Sequence, residues 1–267
     1  MPSLALREPP GLLGEIAARS RADVEAREAH GPPIEPVEAR PLRASFEDAL
    51  RAPGLSLIAE LKPRAPSGGV LRSREAVEPW LASVAPRAAA LSVLCDVPYF
   101  DGGFDLLARV RARTDRPLLC KDFIVSERQL LEARAAGADA VLLIVALLPP
   151  ATLAFLRARA TALGLATLVE VHDDHELAEA IDEGAPIIGV NSRDLRTLAT
   201  DLDRAAELLT RVPTDRVRVA ESGLHTADDI GRVRGAADAV LIGTALSRAL
   251  DPAAIIDGLA LGNAEAP

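Results

Sequence analysis

Two lysines and three glutamates are the residues best suited to moving protons. The chain holds 30 basic residues; only Lys62 and Lys121 are lysine, and the other 28 are arginine. On a solvated surface the two cations serve equally, so codon bias accounts for the arginines. A position that keeps lysine against that bias needs a compact ammonium able to give up a proton, which a guanidinium cannot do. In Ile58-Ala59-Glu60-Leu61-Lys62 the carboxylate and the ammonium lie two residues apart. Residues two apart on a strand share a face, so Glu60 and Lys62 sit together, as do Lys121 and Phe123. Glu170 interrupts the apolar run around Val169 and Val171. There an inward carboxylate needs a partner or a pKa raised by burial. Asn191, Arg193 and Glu221 close other apolar runs in the same way. Each alone could be a rim residue in a satisfied ion pair, but their recurrence at matching ends points to general acid–base chemistry.

Two glycine turns add an anion site. Ser222-Gly223 and Gly243-Thr244 each follow an apolar run. Glycine lets backbone N–H groups approach a phosphate, and a hydroxyl adds a donor. Asp122 and His172 read as residues that hold neighbours in place, and His30, His175 and Cys95 as structural. No His/Cys spacing suggests a metal site.

The elements that must position these groups alternate regularly. Strands are expected at Leu55–Leu61, Ala89–Leu94, Leu118–Lys121, Ala140–Val145, Ala166–Val171, Ile187–Asn191, Val217–Ala220 and Ala239–Ile242. Their starts average about 26 residues apart, the pitch of a strand–helix unit. Helices are expected at Ser126–Ala136, Pro149–Leu163 and Asp173–Glu183, with Gly137, Gly164 and Gly184 as C-terminal caps. Eight such units fit an α/β fold, a (β/α)8 barrel, better than an open doubly wound sheet, because closure leaves no edge strand. One barrel domain over 1–267 is expected. Residues 1–54 form an N-terminal helical extension packed on it, helical from Leu12 to Ala29 and broken at Gly31-Pro32-Pro33. Active sites of such barrels lie at the C-terminal strand ends, and phosphates bind after strands 7 and 8. The glutamates, lysines and glycine turns fall at those places.

Composition narrows the partners. With 5 Phe, 1 Trp and 1 Tyr the core must be aliphatic. A net charge of −9 disfavours nucleic acid. The longest apolar run, Ala140 to Leu148, falls far short of the ~20 residues that span a bilayer, so no membrane is expected. Arg7 and Glu8 argue against a signal peptide. Cys95 and Cys120 give no disulfide framework, in keeping with a cytoplasmic location.

On the segments IAELKPRAPSGG, LSVLCDVPYFDGG, PLLCKDFIVSERQLLEARAAGADAVLLI, LVEVHDDHEL, IIGVNSRDL, VAESGL and LIGTAL, the chain resembles the indole-3-glycerol phosphate synthases. These run in the family's order from about Ser56 to Leu246. The resemblance implies a (β/α)8 barrel with an added N-terminal helical segment, and a small phosphorylated substrate, 1-(2-carboxyphenylamino)-1-deoxyribulose 5-phosphate. It would be closed to indole-3-glycerol phosphate with loss of carbon dioxide and water, without a cofactor. On that reading Lys121 protonates the ketone, Glu170 and Glu60 carry the dehydration, and Lys62 is a second proton donor that also attracts an anionic end. Asn191 orients the substrate, and Arg193 supplies charge at the anthranilate end. Phe100, Phe123, Leu142 and Leu198 line the apolar pocket. Glu221 ties the lysines to substrate hydroxyls, and Ser222, Gly223, Gly243 and Thr244 hold the phosphate. To act near neutral pH, Lys121 is expected to have its pKa lowered by partial burial and Lys62, against the pull of Glu60 and Glu170.

The sequence departs from the family pattern in three places. Ala65 replaces a usual serine in the first loop, where Arg64 and Ser67 could compensate. Cys95 stands for threonine, and Thr244 for serine or glutamate. Phosphoribosylanthranilate isomerase, the nearest enzyme alternative, would need a cysteine base at the end of strand 1, where this chain has Glu60 and Lys62. A non-catalytic phosphate sensor would have no need of Lys121 or Glu170. A monomer is the expected state, with a weak homodimer as the alternative.

Overall fold

The computed structural model describes residues 4–31, 34, 45–66, 68–194 and 199–262. Eight parallel strands close into a barrel: β1 (Ser56–Leu61), β2 (Ala90–Leu94), β3 (Leu118–Lys121), β4 (Ala140–Ile144), β5 (Ala166–Val171), β6 (Ile187–Asn191), β7 (Val217–Glu221) and β8 (Ala239–Ile242). Each pairs with the next in the chain, and β8 returns to β1 with Ser56 opposite Ala239. Every expected strand is present, with ends within one residue. The apolar runs become strands because the closed sheet is covered on both faces: every residue of β1, β2 and β4 is buried. An open sheet is thereby excluded.

The helices also fall where their start and stop signals lie. Ser126 and Asp173 cap helices Glu127–Ala135 and Asp174–Asp182 through their side chains, accepting from Arg128 N and Glu176 N. Helix Pro150–Ala162 begins just after Pro149. Gly137, Gly164 and Gly184 take φ of 94°, 70° and 70° just beyond these helices.

The N-terminal segment lies on the barrel mouth. Helix α1 (Leu12–His30) buries Leu13, Ile16, Ala17 and Val24. Ser20 Oγ donates to the carbonyl of Phe123 at 2.9 Å, just past β3, and Arg27 pairs with Glu132 at 3.1 Å. Ahead of α1, Arg7 N donates to Leu147 O at 2.8 Å, and its guanidinium grips both oxygens of Glu179 at 2.7 and 2.8 Å. Pro32 and Pro33, expected to break the helix, lie outside the described residues, although α1 does end at His30.

One hydroxyl fixes the end of β1. The fully buried Ser247 accepts from Lys62 N at 3.0 Å and donates to Glu60 O at 3.3 Å. Trp80 Nε1 holds the same turn by donating to Leu246 O at 3.2 Å. Replacing Ser247 with alanine leaves the half-buried Lys62 N–H without its partner and should destabilise the fold by about 1–3 kcal/mol. Urea denaturation measures this, and an unchanged midpoint would show that the clamp contributes nothing.

Candidate active site

At the C-terminal strand ends the barrel opens into a cavity of about 350 Å3. Of the residues singled out from the sequence, Glu60, Lys62, Phe100, Lys121, Phe123, Leu142, Glu170, Asn191, Arg193, Ser222 and Thr244 line it. Glu221, Gly223 and Gly243 sit behind that lining, and Ser67 and Leu198 lie outside the described residues. A larger hollow of about 680 Å3 opens around Ala49, Leu81 and Pro117, at the opposite strand ends, and holds none of this cluster.

The floor is an ionic cluster. Lys121 Nζ stands 3.5 Å from Glu170 Oε2 and 3.4 Å from Glu221 Oε2, and Lys62 Nζ lies 2.8 Å from Glu60 Oε1. Glu60, Glu170 and Glu221 are each no more than 3% exposed. Burial acts to lower the Lys121 pKa, but Glu221, Glu170 and Glu60 overcome it and drive the value far above that of an ordinary lysine. The sequence-based expectation of a lowered value is therefore corrected: three carboxylates outweigh desolvation. Glu221 moves upward in turn, through burial and repulsion from Glu170 and Glu60, against the pull of Lys121. Beyond its ion pair Glu221 has no hydrogen-bond partner among the described residues, and neither has Glu170 Oε2. These buried oxygens rest on the Lys121 ammonium alone.

Two glycines give the carboxylates their seats. A Cβ at Gly189 on β6 would lie 2.0 Å from Glu221 Oε1, and one at Gly243 would lie 2.1 Å from Glu60 Oε1. Gly243 was expected to serve an anion; the space left by its missing side chain also accommodates Glu60. The sequence alone assigns Gly189 no role, because the collision depends on a side chain from the neighbouring strand.

The walls divide by polarity. Phe100 and Phe123 pack at 6.1 Å between ring centroids, and Lys62 Nζ lies 5.9 Å above the Phe100 ring. Leu12, Leu13 and Ile16 of α1 complete the apolar side, a contribution legible only as an apolar stripe on that helix. Asn191 Oδ1 accepts from Arg193 N at 3.0 Å, bracing the end of β6. His172 Nδ1 lies 3.0 Å from Asn191 O, in keeping with its expected supporting place. After β7, Ser222 adopts φ 67° and Gly223 φ 71°. For serine this left-handed conformation is strained by roughly 1–2 kcal/mol, and Ser192 Oγ holds it by donating to Ser222 O at 2.9 Å. Asp122 also reaches the cavity, accepting from Gln129 at 3.0 Å. Burial, opposed by the Gln129 hydrogen bond and aided by Asp96, pushes its carboxyl up to about 6.

The chain as a whole is similar to known proteins. A family profile described as "Indole-3-glycerol phosphate synthase" matches residues 13–259. The chain is 46% identical to "Indole-3-glycerol phosphate synthase 2" of Streptomyces coelicolor, covering 93% of this chain and 98% of that one. It is 43% identical to the indole-3-glycerol phosphate synthase of Variovorax paradoxus, covering 91% and 96%. Among solved structures, 3-hexulose-6-phosphate synthase superposes with a TM-score of 0.63 at 21% identity, over 77% of this chain and 98% of that one. At that identity the likeness concerns the fold.

Two measurements probe the floor and its support. Gly189→Ala should fold yet lose about tenfold or more in kcat by displacing Glu221 from Lys121, since misplacement by ~1 Å can cost about 10². Trimming the displaced side chain, as Gly189→Ala with Glu221→Asp, should recover part of the loss; equal kcat in wild type and Gly189→Ala would refute the seating argument. For Asp122 the folded state binds a proton more tightly than the unfolded state, whose aspartate titrates at ~3.9. That contribution is present below pH ~4 and is lost as pH rises through about 6. Asp122→Asn should flatten stability against pH in that window, and an unaltered slope would assign it to another group.

Proposed function

The chain belongs to the indole-3-glycerol phosphate synthase family, carboxy-lyases of tryptophan biosynthesis acting on a small phosphorylated substrate, and on that premise we propose which side chains carry the reaction. The observation that carries the reading is Lys121 Nζ held between Glu170 and Glu221 on the floor of the cavity. The substrate is 1-(2-carboxyphenylamino)-1-deoxyribulose 5-phosphate. Its aromatic ring rests among Phe100, Phe123, Leu142 and the α1 residues, with Arg193 toward its carboxylate and Asn191 orienting it. Ser222, Gly223, Gly243 and Thr244 hold the phosphate.

In ring closure the aromatic carbon bearing the carboxylate attacks the ketone carbon, and the carbonyl electrons move to oxygen. Lys121 protonates that oxygen. A raised pKa serves this step, since the ammonium is fully charged when the substrate arrives and the acceptor is an alkoxide, a far stronger base. Glu221, itself pushed upward and 3.4 Å away, can return the proton. Carbon dioxide then leaves, and its bonding electrons restore the aromatic ring. In dehydration the new hydroxyl departs with a proton from Lys62 or a protonated glutamate, while Glu170 takes the proton from the adjacent carbon. Glu60, 2.8 Å from Lys62, completes the second acid–base pair.

No helix among the described residues is long and apolar enough to cross a membrane. A cytoplasmic monomer with residues 1–54 docked on one barrel domain is the arrangement that fits this reading.

Product formation is followed by indole fluorescence after adding the substrate; folded protein giving no signal would overturn the assignment. In the same assay Lys121→Arg should fold, bind substrate within roughly tenfold and lose about 10² or more in kcat, because the bulkier planar guanidinium does not fit the place of one compact ammonium between Glu170 and Glu221. Near wild-type kcat would reduce position 121 to a source of charge and move the acid to Lys62.

A further inference from the structure

The phosphate carries up to two negative charges into a cavity whose two lysines are already engaged. Lys62 is held by Glu60 at 2.8 Å, and Lys121 lies between Glu170 and Glu221. Arg193 stands at the end of β6, two strands from β8 around the barrel. Beside His225, the remaining basic residue of the lining is Arg248, which shares the cavity with Ser222 and Thr244. Among the described residues its guanidinium has no hydrogen-bond or ion-pair partner.

We propose that Arg248 is the phosphate-binding cation of this site, a guanidinium at the rim placed to close on the anion held by the loops after β7 and β8. This rests on the phosphate placement given above. Three features separate Arg248 from an ordinary surface arginine. Its backbone is anchored on both sides: Arg72 Nε donates to Ser247 O at 3.1 Å, and Arg72 Nη2 donates to Ala249 O. Ser247 is in turn fixed to the end of β1. The side chain reaches across to the loop after β1, where a Cβ on Gly68 would lie 2.7 Å from Arg248 Nη2. Gly68 thereby leaves the space in which the guanidinium rests. Finally, that same loop carries Ala65, 3.5 Å from the Gly68 Cβ position, where the family pattern has a serine. On the proposal, guanidinium donors from the neighbouring loop after β8 stand in for the hydroxyl lost at Ala65. Arginine suits the place because its planar fork meets two phosphate oxygens at once and keeps its charge at every working pH.

The test uses the full chain, with inorganic phosphate as probe. Arg248→Met should raise the substrate KM and the phosphate inhibition constant together by about tenfold or more, with the loss falling on KM rather than kcat. Arg248→Lys should restore part of both. Arg87→Met, the same change of charge at an exposed site paired with Asp257, should alter neither. If wild type is inhibited by phosphate and Arg248→Met is inhibited equally well, Arg248 is a surface charge and the proposal fails while the cradle stands. If phosphate fails to compete in wild type, the cradle reading fails and takes the proposal with it.

Discussion

Three buried carboxylates are tolerable in an aliphatic barrel only because two ammonium groups stand among them. Burying one unpaired carboxylate costs several kcal/mol, so neither the lysines nor the glutamates can be considered singly. Most of the neighbouring structure meets this constraint. Gly189 and Gly243 open the space that Glu221 and Glu60 occupy. Ser247 fixes the backbone from which Glu60 and Lys62 both project. With three negative charges against two positive ones, the pocket has reason to keep a proton, and Glu221, pushed upward, is the group disposed to hold it. On the proposed mechanism, the surplus that would make the site unstable as a passive core is what supplies its chemistry.

The barrel was legible because both faces of each strand are covered, which leaves uniformly apolar runs broken by helix caps and glycine turns. Strand boundaries fell within one residue, since Gly and capping residues punctuate the units. Glu170 was legible for the same reason: a carboxylate inside Val169-Glu170-Val171 has no bland explanation. The two lysines stood out against 28 arginines.

What escaped the sequence depends on distances between strands. Nothing local tells that Gly189 faces Glu221 or that Gly243 faces Glu60, because register and stagger decide which Cβ meets which carboxylate. The direction of the Lys121 shift escaped for a related reason. Burial and Lys62 were visible as influences, but the combined effect of three carboxylates requires their positions. Arg248 looked like one arginine among many until the loop around Gly68 was seen beside it.

The strap formed by Arg7 and α1 has a consequence for how the molecule is assembled. Arg7 grips Glu179 across 172 positions of chain, and Arg27 meets Glu132 across 105. A ribosome releases the strap early, yet Glu132 emerges only after β3 and Glu179 only after β5. Contacts so distant in sequence form slowly, because the chain must first be brought together. Since Leu12, Leu13 and Ile16 form one wall of the cavity, that cavity is completed late in folding, once the closed barrel recaptures the segment that was made first.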